Sequence, residues 1–231
     1  MYLGGAYFFL RAFRATEWHR VEAGFISVGL FATLMGIATM VHWNKFVHSN
    51  VAFWLWAGLY FTTRFLVWAA WFANEREQLE PTQDDLLLSP IAATVIGLLG
   101  IMAAMSCLFL FLFPRTAISI WPWKLTELTA RVMGAIFALG VSGIGAFTDK
   151  RWGGAKIMLE VEGLMVALIA VAALRAHRDF AASRPLTWVF AAGFLALPLA
   201  TVLLYARMEA RSAKRTGPSW GLGGQPPADG P

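Results

Sequence analysis

The chain has 231 residues, 58% of them apolar and 14% charged, and a mean hydropathy of +0.59 that excludes an ordinary water-soluble domain. Its excess of five basic charges, 19 against 14, reads as charge gathered at the ends of membrane spans and not as a nucleic-acid surface. One cysteine, Cys107, sits inside an apolar stretch, which excludes an intrachain disulfide and a thiolate metal cage and leaves packing as its role.

Apolar residues gather into six stretches, 25–41, 51–73, 86–113, 128–147, 157–174 and 186–206, each long enough to cross a bilayer. No period-2 alternation runs through them, and lipid offers no partner to backbone N–H and C=O groups, so helices are predicted and barrel strands are not. The fold class that follows is all-α. It is a polytopic transmembrane helical bundle of six full spans plus a short N-terminal apolar helix, filling residues 1–206. Residues 207–231 are predicted to be a basic juxtamembrane segment followed by a disordered Gly/Pro-rich tail.

The first ten residues are apolar, but as a helix they reach only ~15 Å, half the hydrocarbon thickness, before Arg11 and Arg14. A secretory signal needs basic residues ahead of such a stretch and a small-residue cleavage site after it, and neither arrangement is present. Two readings stay open: the second half of a truncated helix, or a short interfacial or re-entrant piece.

The second span carries Arg64 deep in its apolar run. A guanidinium there costs at least ~2.5 to 3.5 kcal/mol on insertion scales, so it needs a protein partner or a wet cavity. The expected partner is Glu162, or Glu160, near the start of the fifth span, reached by snorkelling. Arg64, Glu162 and Glu160 thus form a candidate intramembrane polar pair, either a structural tie fixing helix register or part of an ion or substrate path. Glu160 and Glu162 are two positions apart and point in nearly opposite directions on a helix, so they do not form a shared carboxylate site unaided. Between the second and third spans, residues 74–85 hold five carboxylates against Arg76 alone and read as a solvated acidic loop.

In the fourth span Ala130, Gly134, Ala138, Ser142 and Ala146 recur every fourth residue, a ridge of small side chains over which another helix approaches closely. Ser142 also lies in a Gly-Val-Ser-Gly stretch similar to that of rhomboid intramembrane proteases. A nucleophilic serine requires a base, however, and the last span holds no histidine. Lys156, the one lysine touching a span, is at an edge, which argues against a retinal Schiff base. His42, His48 and His177 fall near one interface and His19 near the other, without zinc-ligand spacing, so no metal or cofactor is expected. Arg131 has Glu127 as an i,i+4 partner, and Pro198 is predicted to kink the last span.

The run Trp121-Pro122-Trp123-Lys124-Leu125-Thr126-Glu127-Leu128-Thr129-Ala130-Arg131 resembles a family of uncharacterised bacterial multi-pass membrane proteins in which such a pattern opens a helix. Residues 3–7, 32–43 and 52–56 also look like that family, so the likeness covers the first three quarters of the chain. Members carry more residues before the Leu-Gly-Gly-Ala-like stretch, which implies a truncated first helix and a seventh span. They also carry prolines where this chain has Lys124, Glu127 and residues 62–64, so the resemblance does not extend to Arg64. It implies a bacterial membrane location and brings no activity with it.

Eleven basic residues lie at one end of the predicted bundle and seven at the other, with Arg64 counted at neither, which puts both termini of the six-span core in the cytoplasm. Trp18, Trp43, Trp71, Trp121, Trp123, Trp152 and Trp188 fall near span ends, as interfacial anchors do. The function expected is that of an integral membrane protein of the bacterial inner membrane, non-enzymatic, acting as a structural, assembly or signalling component. The alternative is a small-solute transporter or channel using Arg64 and Glu162, and the third reading is a haem or redox protein. Expected partners are the lipid bilayer, anionic headgroups at the C-terminal basic segment and an unknown membrane protein, with no nucleic acid.

Overall fold

The computed structural model describes residues 2–74 and 85–216; the acidic loop between Asn74 and Asp85 and the Gly/Pro-rich tail lie outside them. Eight α-helices follow one another among the described residues: α1 (Tyr2–Arg14), α2 (Glu22–Val41), α3 (Val51–Asn74), α4 (Pro90–Leu112), α5 (Pro114–Ile120), α6 (Glu127–Phe137), α7 (Trp152–Arg175) and α8 (Pro185–Thr216). A 3₁₀ segment, Ala138–Phe147, carries α6 onward without a break. No strand forms among the described residues; Leu87 and Arg151 make one isolated antiparallel bridge.

Among the described residues, five stretches are long and apolar enough to cross a membrane: Glu22–Val41, Pro90–Leu112, Glu127–Phe147, Trp152–Arg175 and Pro185–Arg215. α3 has the length, 24 residues, but its four tryptophans and Arg64 keep its hydropathy below that of the other five. The helix ends are written in local chemistry. Pro90 opens α4 behind Ser89, whose hydroxyl accepts the Ala92 N–H at 3.2 Å. Pro114 ends the same run and starts α5, because its ring cannot continue the helix ladder. At α6, Thr126 and Thr129 cap reciprocally, the Thr129 N–H reaching the Thr126 hydroxyl at 3.2 Å and the Thr126 N–H the Thr129 hydroxyl at 2.7 Å.

Successive long helices alternate in direction. The Leu88 N–H donates to the Lys150 carbonyl at 2.8 Å and the Trp152 N–H to the Leu86 carbonyl at 2.7 Å, which ties the starts of α4 and α7 together at one end. At the other end the Ala181 N–H donates to the Pro122 carbonyl at 2.8 Å, and Arg184 donates to the carbonyls of Trp121 and Ile118. The short apolar helix α1 lies antiparallel along the first half of α7, burying Phe8 beside Ile157, Val161 and Met165. Gly4 faces Met165 and Gly24 faces the Phe8 ring, so this segment docks lengthwise into the bundle.

α4 and the 3₁₀ segment approach each other backbone to backbone. A methyl group on Gly143 would stand 2.7 Å from the Ile96 carbonyl, and one on Gly100 would stand 2.5 Å from the Ile144 amide, so backbone lies against backbone. All five members of the small-residue ridge are buried, but below Ala138 the three-per-turn winding changes which residues share a face. Gly140 and Gly143 turn to α4, against Ala103 and Gly100, while Ser142 turns to α7 and Gly145 toward Ala23 of α2. The period-four positions Ser142 and Ala146 stay buried through this segment, while Gly140 and Gly143 between them make the close contact with α4.

Two tryptophans expected at the interface are core residues. Trp121 packs edge-on to Phe190 at 5.1 Å and Trp123 at 5.2 Å, and Trp152 lies beside Leu88, Ala93 and Met208. Trp43 and Trp188 are exposed as anchors are. α8 continues through Pro198 with helical backbone on both sides.

Candidate functional site

One set of polar side chains within the bundle converges on α7. Glu160 and Glu162 leave it in different directions, as their spacing requires. The Glu160 carboxylate accepts the Tyr7 hydroxyl at 2.8 Å, the Tyr205 hydroxyl at 3.0 Å and the Arg11 guanidinium, so a single carboxylate ties α1, α7 and α8. Tyr7 and Arg11 stand one turn apart on the same face of α1, and Arg11 also donates to the Tyr7 oxygen at 3.0 Å. One turn before Glu160, the Lys156 ammonium donates to Glu209 at 2.9 Å and lies 5.3 Å from the Tyr205 ring centroid. The Trp152 indole N–H donates to the same Glu209 oxygen at 3.1 Å. α7 and α8 are thereby joined over two turns.

Glu162 accepts the Ser142 hydroxyl at 2.7 Å, its one hydrogen-bond partner among the described residues. Ser142, which the sequence offers as a small ridge residue, is thus also a polar contact to α7. Its hydroxyl reaches the Leu139 carbonyl at 3.2 Å too, the usual local outlet for a helical serine.

Arg64 is elsewhere. Its guanidinium lies between two rings of its own helix, 4.9 Å from the Phe61 centroid and 4.6 Å from that of Phe65, over Gly36 of α2. Its Nε is buried without a hydrogen-bond partner. No ion pair joins Arg64 to Glu160 or Glu162 among the described residues: α3 packs on α2, while both carboxylates are engaged by α1, α8 and the 3₁₀ segment. The three candidate residues are not brought together as one site.

Two further polar groups close the ends of the bundle. At one, Arg131 donates to the His42 imidazole at 2.7 Å and Glu127 bonds Arg115 at 2.8 Å. Burial and then the Arg131 charge hold His42 below its ordinary pKa, which keeps it a neutral acceptor. At the other end Arg151 grips Asp149 with bonds of 2.7 to 2.9 Å. Burial alone would raise the Asp149 carboxyl, and the Arg151 hydrogen bonds outweigh it and hold the group below its usual value. His19 is lowered by burial and then by Arg151.

His48 stacks on Trp43, and His177 bonds the Leu174 carbonyl. No group of three or more His, Cys, Asp or Glu placed to hold a metal ion occurs among the described residues. Sequence reading missed Tyr7, Arg11 and Tyr205 as partners of Glu160. The i,i+4 spacing of Tyr7 and Arg11, a polar stripe on an otherwise apolar helix, was the signal that could have found two of them. Comparison with protein families, with curated proteins and with solved structures gives no match.

Proposed function

We propose that this chain is a structural or assembly component of a bacterial inner membrane, non-enzymatic, crossing the bilayer six times with α3 as the second crossing and its C-terminus in the cytoplasm. The observation that supports this reading most is the way Glu160 is occupied. Placing a carboxylate among apolar helices is costly, and here the cost is offset by Arg11 and two tyrosine hydroxyls supplied by the neighbouring helices. Such an arrangement fixes how α1 and α8 sit on α7. The Gly100–Gly143 crossing fixes α4 in the same way, through close backbone approach in place of charge.

A transport reading has one feature in its favour, namely Glu162, a carboxylate with a single hydroxyl partner among the described residues. The two readings separate experimentally. In the structural reading, Glu160→Ala lowers the detergent melting temperature, because removing one partner strands the Arg11 charge at a cost of about 3 kcal/mol. Proteoliposomes of the native chain then pass ions and small solutes no faster than empty vesicles. Flux that Glu162→Gln abolishes while the melting temperature holds would overturn the structural reading in favour of transport.

A further inference from the structure

At the end of the bundle where α4 begins and α8 leaves the apolar layer, the two helices enclose a groove of about 740 Å³. One wall is cationic. Arg207, Arg211 and Lys214 follow at i, i+4 and i+7 on one face of α8, and all three line the groove and are exposed. The floor and the opposite wall are apolar: Met208 is buried beneath them, Leu204 continues the face toward the membrane span, and Ile91 stands 78% exposed on the first turn of α4.

Among the described residues the cations have no counter-charge. No ion pair forms to Arg207, Arg211 or Lys214 among the described residues, and the one acidic residue in that stretch of α8, Glu209, is turned away to Lys156 and Trp152. Three like charges one turn apart repel one another, and an anion seated between them relieves the repulsion. The apolar strip runs from those charges into the crossing part of the same helix. A soluble acidic partner would leave that strip exposed, whereas a molecule with an anionic head and hydrocarbon chains would cover both surfaces.

We propose that this groove is a binding site for one anionic phospholipid, its phosphate between Arg207, Arg211 and Lys214 and its acyl chains along Leu204 and Ile91. The inference rests on the membrane reading of the chain and deepens it from a general attraction of basic residues to headgroups into a built site. The test uses the full chain in a neutral detergent, titrated with phosphatidylglycerol or with phosphatidylcholine of the same chains and examined by native mass spectrometry.

One phosphatidylglycerol per chain is expected to remain bound and phosphatidylcholine not. The variant R207Q/R211Q/K214Q should lose at least tenfold in affinity with its melting temperature unchanged, and K214Q alone should lose a smaller factor. Arg178→Gln, which removes an exposed arginine at the other end of the bundle, should bind as the native chain does. Equal retention of the two lipids, phosphatidylglycerol binding that never saturates at one, or a triple variant that keeps its lipid would sink the site. So would a soluble polyglutamate that displaces the lipid, since the chains would then contribute nothing. A chain that stays monodisperse without detergent would instead refute the membrane reading itself.

Discussion

Glu160 shows how one ionised group settles inside an apolar bundle, because each donor it accepts comes from a different helix or a different turn. The same economy operates at the two histidines near the bundle ends, and it makes stability depend on pH. His42 is lowered by burial and Arg131, and His19 by burial and Arg151. A histidine held neutral in the folded chain binds a proton more readily once unfolded, so its contribution is complete above the ordinary value of 6.5 and is lost as pH falls through the lowered folded value. The melting temperature should therefore decline as the solution is acidified from about 6.5 toward the lowered folded value and level off below it, and His42→Gln combined with His19→Gln should remove most of that slope. A slope that survives in the double variant would show that other groups carry it. The Asp149–Arg151 pair fails in a separate window, below the carboxyl's ordinary 3.8. At this scale the sequence was informative about each carboxylate's direction and silent about its partners. Glu160 and Glu162 had to diverge because they are two apart, but the choice of Tyr205 over Arg64 is made by packing between segments 45 and more residues apart.

Among the elements, the pairing of α4 with the span that starts at α6 depends most on side chains that are absent. At Gly100 and Gly143 any Cβ meets backbone atoms, which do not rotate aside as a side chain does. Gly143→Ala is expected to destabilise by about 1 to 3 kcal/mol as an overpacked site, and Gly100→Ala by a similar amount, measured as loss of melting temperature. Gly58→Ala, on α3 with open space around it, is the control and should stay within about 0.5 kcal/mol of the native chain. If Gly143→Ala behaves like Gly58→Ala, the close crossing is not what holds these helices. The apolar runs located these elements at 86–113 and 128–147; the structure sets their ends at Ser89-Pro90, Phe113-Pro114 and Thr126, where caps and prolines act locally. The sequence did not announce the change of winding after Phe137. An apolar run carries no polar positions to reveal its period, so three and 3.6 residues per turn look alike until a neighbouring backbone selects between them.

For the whole molecule, the direction of each helix follows from which ends meet: α4 and α7 start together near Leu88 and Lys150, and α5 and α8 meet near Trp121 and Arg184. The six crossings proposed above put Ser49 and Lys150 on opposite sides of the membrane. Cys107 is buried, so a Cys107→Ala background carrying Ser49→Cys or Lys150→Cys gives a clean test with an impermeant maleimide on intact cells. Ser49→Cys should label from outside and Lys150→Cys only after the membrane is opened. Labelling of both from one side would mean that α3 does not cross. The composition alone made lipid immersion plain, yet the side assignment rests on a charge difference spread over many short loops, which is why it needs this measurement. The tighter winding of Ala138–Phe147 has an effect on length as well. A 3₁₀ turn advances about 2.0 Å per residue against 1.5 Å in an α-helix, so the 21 residues from Glu127 to Phe147 stretch to about 36 Å, as far as the 24 residues of α7. Rewound entirely as α-helix, that rod would stop about 5 Å short of the length of α7; the thin winding makes up for three missing residues.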